Sequence, residues 1–444
     1  MRYRIISGTC WILLSLFHFV LFSQPHTENN CKAGEDHLTL TNDGTWCWFS
    51  DPRAICFKGR YHRIYAGWMD HSGDIVAGYY DCDNDSILYD TIRRKFEIDD
   101  HDNPSLFIDQ QGRLNLFYCR HAHRSPIYTI QAEAPEDIGE WETEKTLHLN
   151  DTITYKDYRN SYTYTNIFQL SDENNRLYLF WRGMDFKPNF SISDDNGTSW
   201  TSGKILILPE RLYRDRRPYM KTDADGKGKI HFAFTDGHPR DEPTNSIYYM
   251  CYKNDSLFKA NGENIGRLAD APFEPGQTDM VYDADLTNEK AWIWDVAEGI
   301  DGNPVIVYSR FPDDTNHCYY YARWNGTVWD NNFMINSGRW FPQTPSGRDE
   351  HEPNYSGGIA LDHEDPSIVY LSVSRTSAFE IEKWTTPDNG MTWSVEAITC
   401  NSKNDNVRPF AIRNAGEKDK MQVIWMNVER YVHYTDYNTS LRMR

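Results

Sequence analysis

The chain has 444 residues and a formal charge of −19, and Tyr, Trp and Phe make up 14% of it. That acidity excludes a general attraction to nucleic acid or acidic polymers, so any acidic ligand must be captured by a local basic patch. The aromatic content suits pleated, half-buried strands and indicates an all-β chain, a class in which one domain can span several hundred residues.

The basic head Arg2-Tyr3-Arg4 and the apolar stretch from Trp11 to Phe22 read as a secretory signal peptide over residues 1–23. The stretch is shorter than the roughly 20 residues of a membrane span, and no later segment is apolar enough to serve as one. The mature chain, residues 24–444, is therefore expected as a single domain in the periplasm, at the bacterial cell surface or in the medium. Eight cysteines follow the signal, Cys31, Cys47, Cys56, Cys82, Cys119, Cys251, Cys318 and Cys400, with no C-x-x-C spacing. They are too sparse for a disulfide scaffold and leave any pairing unassigned.

One unit recurs seven times in chain order: an alternating strand, a tight Asp- or Gly-containing turn, and a second alternating strand. The copies cover 63–68 with 75–80, 105–108 with 114–118, 166–170 with 177–181, 219–222 with 230–234, 291–296 with 305–308, 358–361 with 368–371, and 410–412 with 423–425. Each has the period of two and the turn chemistry of a hairpin. Seven hairpins at wide, regular intervals leave space for outer strand pairs between them, which predicts a seven-bladed β-propeller. Ser193-x-Asp195-x-Gly197-x-Ser199-Trp200 and Thr386-x-Asp388-x-Gly390-x-Thr392-Trp393 fit the Asp-box pattern, and Asn325 to Trp329 is a degenerate copy. In that pattern the Asp closes a turn and the Trp packs between blades, which is a structural role.

Residues just before the first strand of a hairpin and just after the second share one face. Read in this way, that face gathers His101, Asp102, Asn103, His121, His123, Arg124, Tyr162, Tyr164 and Arg182. It continues with Arg214, Arg216, Arg217, Tyr219, Asp236, His238, Arg240, Arg310, His351, Arg375 and Arg408. Taken singly, each of these is more often a satisfied surface or blade-bridging group than a ligand contact, and only their clustering points to a ligand. Arginines in such a cluster suit a carboxylate or a sulfate. A glycosidase wants two carboxyl groups flanking the scissile bond, whereas Asp102 and Asp236 sit among more prominent His, Tyr and Arg. A sialidase-like site could draw on a Tyr with Arg182, Arg217 and Arg408, but it leaves the His pair without a task. β-Elimination at a uronic acid uses a base, an acid and a cation on the carboxylate, which His, Tyr and Arg supply.

His101-Asp-Asn-Pro, His121 twenty residues on, Tyr164 in Tyr-Thr-Asn and Arg182 in Phe-Trp-Arg-Gly resemble the catalytic pattern of the seven-bladed propeller ulvan lyases. The resemblance runs from Trp46–Ala54 to Val407–Phe410. It implies that Arg182 neutralises the uronate carboxylate and that His101, His121 and Tyr164 share base and acid duties, with the choice between His and Tyr as base left open. Asn103, His123, Arg124, Arg217 and Tyr219 are the expected substrate contacts. The implied substrate is an anionic, sulfated rhamnose–uronate polysaccharide or its oligosaccharides, acted on by a monomer with no cofactor required for catalysis. Relatives that eliminate water from a terminal uronate, or that remove rhamnose hydrolytically from the opposite face, keep those activities as alternatives, and a non-catalytic glycan-binding protein is a third. Family members can also carry a structural zinc or calcium ion, for which His238 and Cys251 are the candidate ligands.

Overall fold

A computed structural model describes residues 37–313, 315–341, 354–376 and 378–444. The proposed signal peptide, Cys31 and His351 lie outside them. None of the described helices is long and apolar enough to cross a membrane.

The alternating segments pair into seven antiparallel sheets that follow one another along the chain. The first runs through Ala54–Lys58, His62–Met69, Ile75–Asp81 and Ser86–Arg93. The second takes Ser105–Ile108, Leu114–Tyr118, Ile127–Gln131 and Lys145–Leu147; the third takes Thr163–Leu170, Arg176–Arg182, Pro188–Ser193 and Lys204–Ile205. The fourth starts with Met220–Ala224, Lys229–Thr235 and Ile247–Lys253 and is widened to six strands, and the fifth and sixth have four each. In the seventh, Asp405–Ala411, Val423–His433 and Asp436–Met443 are completed by the early strand Leu38–Thr41, which pairs with Asp436–Met443. The two ends of the described chain thus share one sheet, and the Cys56 amide donates to the Arg413 carbonyl between the first and seventh sheets. Together these contacts close the ring.

Six of the seven expected hairpins are the first and second strands of their sheets. The exception is the first, 63–68 with 75–80, which forms the second and third strands. The inner strand there is Ala54–Lys58, which follows Asp51-Pro52 and has no alternating pattern strong enough to mark it. The Asp70–Gly73 turn therefore lies on the opposite face from the other hairpin turns.

The Asp-box turns behave as their chemistry requires. The Asp195 carboxylate accepts from Ser199 N at 2.8 Å and from its hydroxyl at 2.6 Å, and Asp388 repeats this with Thr392 at 2.7 and 2.6 Å. Trp200 meets Phe117 and Trp393 meets Tyr321, in each case an aromatic residue of the preceding blade.

Residues 45–53 cross the centre of the ring as a buried aromatic plug. Trp48 stacks on Trp294 with centroids 4.3 Å apart and meets Trp292 edge-on at 5.1 Å. The Asp51 carboxylate accepts from Arg53 Nε at 2.9 Å and pairs with Lys221 of the fourth blade. Asn166 of the third blade accepts from Asp51 N and donates to the Phe49 carbonyl. The plug thereby ties several inner strands together and presents Phe49 to the cluster described next.

Candidate functional site

The second blade supplies two histidines. The run Asp99-Asp100-His101-Asp102 folds as a short 3-10 turn over Asp100–Asp102, because the Asp99 side chain caps it by accepting from His101 N at 3.0 Å. The same carboxylate accepts from His101 Nδ1 at 2.6 Å through one oxygen and from His121 Nδ1 at 2.9 Å through the other. The two imidazoles stack, with centroids 3.9 Å apart and planes 9° from parallel, and Tyr434 closes on both edge-on. With both Nδ1 atoms held by Asp99, each ring has Nε2 left for chemistry.

The two rings differ electrostatically. Burial disfavours charge on His101, but Asp99 and Asp100 outweigh it and hold the ring protonated well above the usual histidine range. Burial and the His101 charge push His121 down to about 4, against the pull of Asp99, so His121 is neutral near pH 7. Its side chain is 20% exposed against 6% for His101, so the neutral ring is the more accessible of the two.

The third blade supplies Tyr164 and Arg182. Tyr164 has φ +59, a left-handed conformation that a bulky residue seldom adopts, at an irregularity in the pairing between Thr163 and Asn166. The bulge turns its ring onto Phe49 of the plug at 5.2 Å and toward His101 at 5.5 Å. Its hydroxyl makes no hydrogen bond to the described residues, and burial raises its pKa well above the usual tyrosine value, so it is a neutral proton donor. Arg182 ends the strand Arg176–Arg182 and is only 6% exposed. Its guanidinium lies 4.8 Å over the Tyr164 ring, donates to the Tyr219 hydroxyl at 2.5 Å and reaches Thr163 Oγ1 at 3.5 Å. It pairs with no carboxylate among the described residues, and its Nε has no partner. A buried cation without a counter-ion is costly, and an anion placed against this guanidinium would offset that cost.

His101, His121, Tyr164 and Arg182 thus meet in one contiguous patch, and the remaining expected contacts divide. Tyr219 is buried there and accepts from Arg182, which makes it a support for the guanidinium. Asn103 is 1% exposed and accepts from Cys47 N at 3.0 Å, so its carbonyl oxygen anchors the plug. Arg217 is tied to Asp241 at the rim. His123 and Arg124 are exposed on the following loop, His123 standing 3.7 Å from Glu97.

Several arginines read from the sequence as ligands are committed to the protein. Arg408 pairs with Asp100 at 2.6 Å and donates to the Trp46 carbonyl, and Arg375 forks onto Glu382. Arg310 is sandwiched between Tyr282 and Tyr320 at 3.8 Å from each. The trio Arg182, Arg217 and Arg408 is therefore not a set of three free guanidiniums. Asp236 is spent on Arg216, Ser246 N and the Tyr248 hydroxyl.

His238 and Cys251 are not brought together as metal ligands. His238 packs on Trp292 and Tyr219 beside the site, and its Nδ1 accepts from Arg240 N. Cys251 sits within the third strand of that sheet, opposite His231 and several residues from the strand end that leads to His238. Near the site, Asp99, His101 and His121 do lie close enough to share an ion, as do Cys47, Asp100 and His101. In both groups the carboxylate is already occupied, Asp99 by two imidazoles and Asp100 by Arg408 and Tyr431.

Sequence reading missed Asp99, because the motif it followed begins at His101; the unusual Asp-Asp-His-Asp run was the available signal. It also missed Phe186, around whose ring the guanidiniums of Arg159, Arg182 and Arg217 converge at 4.7, 5.2 and 5.6 Å. The three guanidiniums form a local concentration of positive charge in an otherwise acidic chain.

The chain is similar in fold to an ulvan lyase of a new polysaccharide lyase family, solved free and bound to -[GlcA(1-4)Rha3S]-. Both structures are 15% identical to it, cover 91% of this chain and 95% of their own, and superpose with a TM-score of 0.68. An α-L-arabinanase of Penicillium chrysogenum, 13% identical over 92% of this chain and 98% of its own, superposes only at 0.40. No curated protein sequence matches. The profile described as "BNR repeat-containing family member" matches residues 63–337, more than half of the chain, which accordingly belongs to the BNR repeat-containing family.

Proposed function

We propose that the protein is an exported lyase that cleaves a uronate-containing, sulfated polysaccharide or its oligosaccharides by β-elimination. The observation that carries this reading is the buried Arg182, unpaired by any carboxylate and in contact with Tyr164, beside a neutral and a protonated histidine held on Asp99. The fold likeness to an ulvan lyase bound to -[GlcA(1-4)Rha3S]- supports the substrate class. The apolar head of the sequence supports export.

Elimination begins with removal of H5, which is acidic only because C6 carries a carboxylate. Arg182 binds that carboxylate and stabilises the charge that spreads onto it as the C5–H bond breaks. His121, neutral and with Nε2 available, takes the proton. The electron pair forms the C4–C5 double bond as the C4–O4 bond breaks, and the neutral Tyr164 hydroxyl protonates O4. His121 ends as imidazolium and Tyr164 as phenolate, and transfer of one proton between them through solvent resets the site. His101, already charged, adds positive potential beside the developing phenolate. Arg159 at the rim suits the sulfate of a neighbouring sugar.

Incubation with ulvan and with its oligosaccharides, followed by mass spectrometry and ultraviolet absorbance, tests this reading. Shortened chains with an unsaturated end are expected. A product lighter by one water without shortening identifies elimination of water from a terminal uronate, and saturated free rhamnose overturns elimination altogether.

A further inference from the structure

A second constellation lies far from this site, at the seam where the first blade meets the seventh. The register pairs Lys58 with His62, and the Cys82 amide donates to the His62 carbonyl, so Cys56, Lys58, His62 and Cys82 share one face of the sheet. Their neighbours Arg63 and Asp81 pair with each other on the opposite face. Asp419, from the turn between the first two strands of the seventh blade, meets this face from across the seam.

Cys56 Sγ lies 3.4 Å from His62 Nε2, and Asp419 Oδ1 lies 3.3 Å from the same nitrogen. This is not the geometry of a nucleophile–base–acid relay, in which the thiol and the carboxylate use different ring nitrogens. Nε2 carries one proton or one lone pair and cannot satisfy both neighbours. Three electron-rich atoms converging within 4.8 Å of one another are instead what a shared cation organises. The separations agree with this. Zinc bonds of about 2.3 Å to sulfur and about 2.0–2.2 Å to nitrogen or oxygen, at tetrahedral angles, put sulfur and nitrogen about 3.5 Å apart and nitrogen and oxygen about 3.4 Å apart.

The second oxygen of Asp419 is held in the way a ligating carboxylate requires. Oδ2 accepts from Lys58 Nζ at 2.7 Å and from Gly416 N at 2.7 Å, which leaves Oδ1 turned toward His62. Thiolate, imidazole and carboxylate together favour a borderline transition-metal ion over calcium, which takes oxygen ligands.

We infer that Cys56, His62 and Asp419 form a zinc-class metal site that clasps the first blade to the seventh. Cys82 lies on the same face, opposite His62. The clasp reinforces the ring closure made by the strand Leu38–Thr41 at the outer edge of the seventh blade.

The test uses the full mature chain, freed of metal by a chelator and titrated with Co2+ alone and then with Zn2+ alone. One equivalent of Co2+ should give a thiolate-to-cobalt charge-transfer band that Zn2+ abolishes. The band should be lost in Cys56→Ser and in His62→Gln and kept in Cys318→Ser, and Zn2+ should raise the melting temperature of the wild type and of Cys318→Ser but not of the other two variants. Circular dichroism establishes that each variant is folded, and His62→Gln carries the test if Cys56→Ser is not. Absence of the band in the wild type, or a full-strength band in folded Cys56→Ser or His62→Gln, overturns the site.

Discussion

His101 and His121 lie face to face at 3.9 Å, and a single carboxylate, Asp99, receives the Nδ1 of both. Two stacked imidazoles so close do not both carry a positive charge cheaply, and Asp99 cannot compensate two full charges. In the proposed elimination the pair divides its labour, His101 as the cation and His121 as the base, with Asp99 fixing the orientation of both rings. Asp99→Asn keeps the shape but removes the charge and replaces one acceptor oxygen with a donor. It should lower the elimination rate by about 10²-fold or more, in the range that positioned acid–base groups contribute. The measurement is the rise in ultraviolet absorbance on ulvan, with circular dichroism showing the fold intact; an undiminished rate would remove Asp99 from the chemistry.

The same division sets the pH response. A free histidine titrates near 6.5, so a base of that kind loses activity below neutrality. His121, held down at about 4, stays neutral until the medium is much more acidic, and the acid limb of kcat/KM for the free protein should fall near pH 4. His101→Gln removes the neighbouring charge that depresses His121, so the limb should move up toward 6.5 while the rate at its plateau also falls. The stability signs are opposite for the two rings. His121 has a depressed pKa, so its contribution is present above 6.5 and declines as the pH falls toward 4; that of His101, whose pKa is raised, is full below 6.5 and declines as the pH rises toward its folded value. Denaturant midpoints of wild type and His101→Gln across pH 5 to 9 should converge at the alkaline end.

Arg182 supplies geometry as well as charge. Its head donates to Tyr219 at 2.5 Å and keeps Nε unpartnered, which leaves a planar fork for a carboxylate. Arg182→Lys keeps the charge and loses the fork, and should cost about 10²-fold in kcat/KM; Arg182→Ala should cost about 10³-fold. Tyr219→Phe removes only the supporting hydroxyl and should cost about tenfold or less. Equal losses in the Lys and Ala variants would mean that only the bidentate grip matters, and no loss in either would end the case for Arg182.

What the sequence made legible follows from which interactions are local. All seven hairpins were readable because alternation and turn chemistry are written in adjacent residues, although the first forms the second and third strands of its sheet; the shared face of His101, His121, Tyr164 and Arg182 was readable too, since it follows from hairpin topology. Ala54–Lys58 was not, since its five residues carry no alternation and its place is fixed by pairing with His62–Met69. Asp99 as common anchor, Asp100 as partner of Arg408 and Glu382 as partner of Arg375 are tertiary facts. They turn arginines that read as ligand contacts into internal ion pairs. The seam cluster also escaped notice, because Cys56 and Asp419 are separated by almost the whole chain.

The plug at residues 45–53 links stability to the site. Trp48 is 2% exposed, stacks on Trp294, meets Trp292 and Tyr355 edge-on, and donates from Nε1 to the Ile293 carbonyl at 3.4 Å. Trp48→Ala leaves a cavity where several blades converge, and such truncations cost about 3–5 kcal/mol. Phe49, its neighbour, packs at 5.2 Å on Tyr164 and 5.0 Å on Tyr219, so loosening the plug also releases the supports of Tyr164 and Arg182. Trp48→Ala should therefore lower both the melting temperature and kcat. Trp200→Ala, at an Asp-box turn on the far face, should lower the melting temperature while sparing kcat. Melting curves paired with the elimination assay on both variants separate the two effects, and a Trp48→Ala protein that is destabilised yet fully active at low temperature would show that the plug holds the ring without shaping the site.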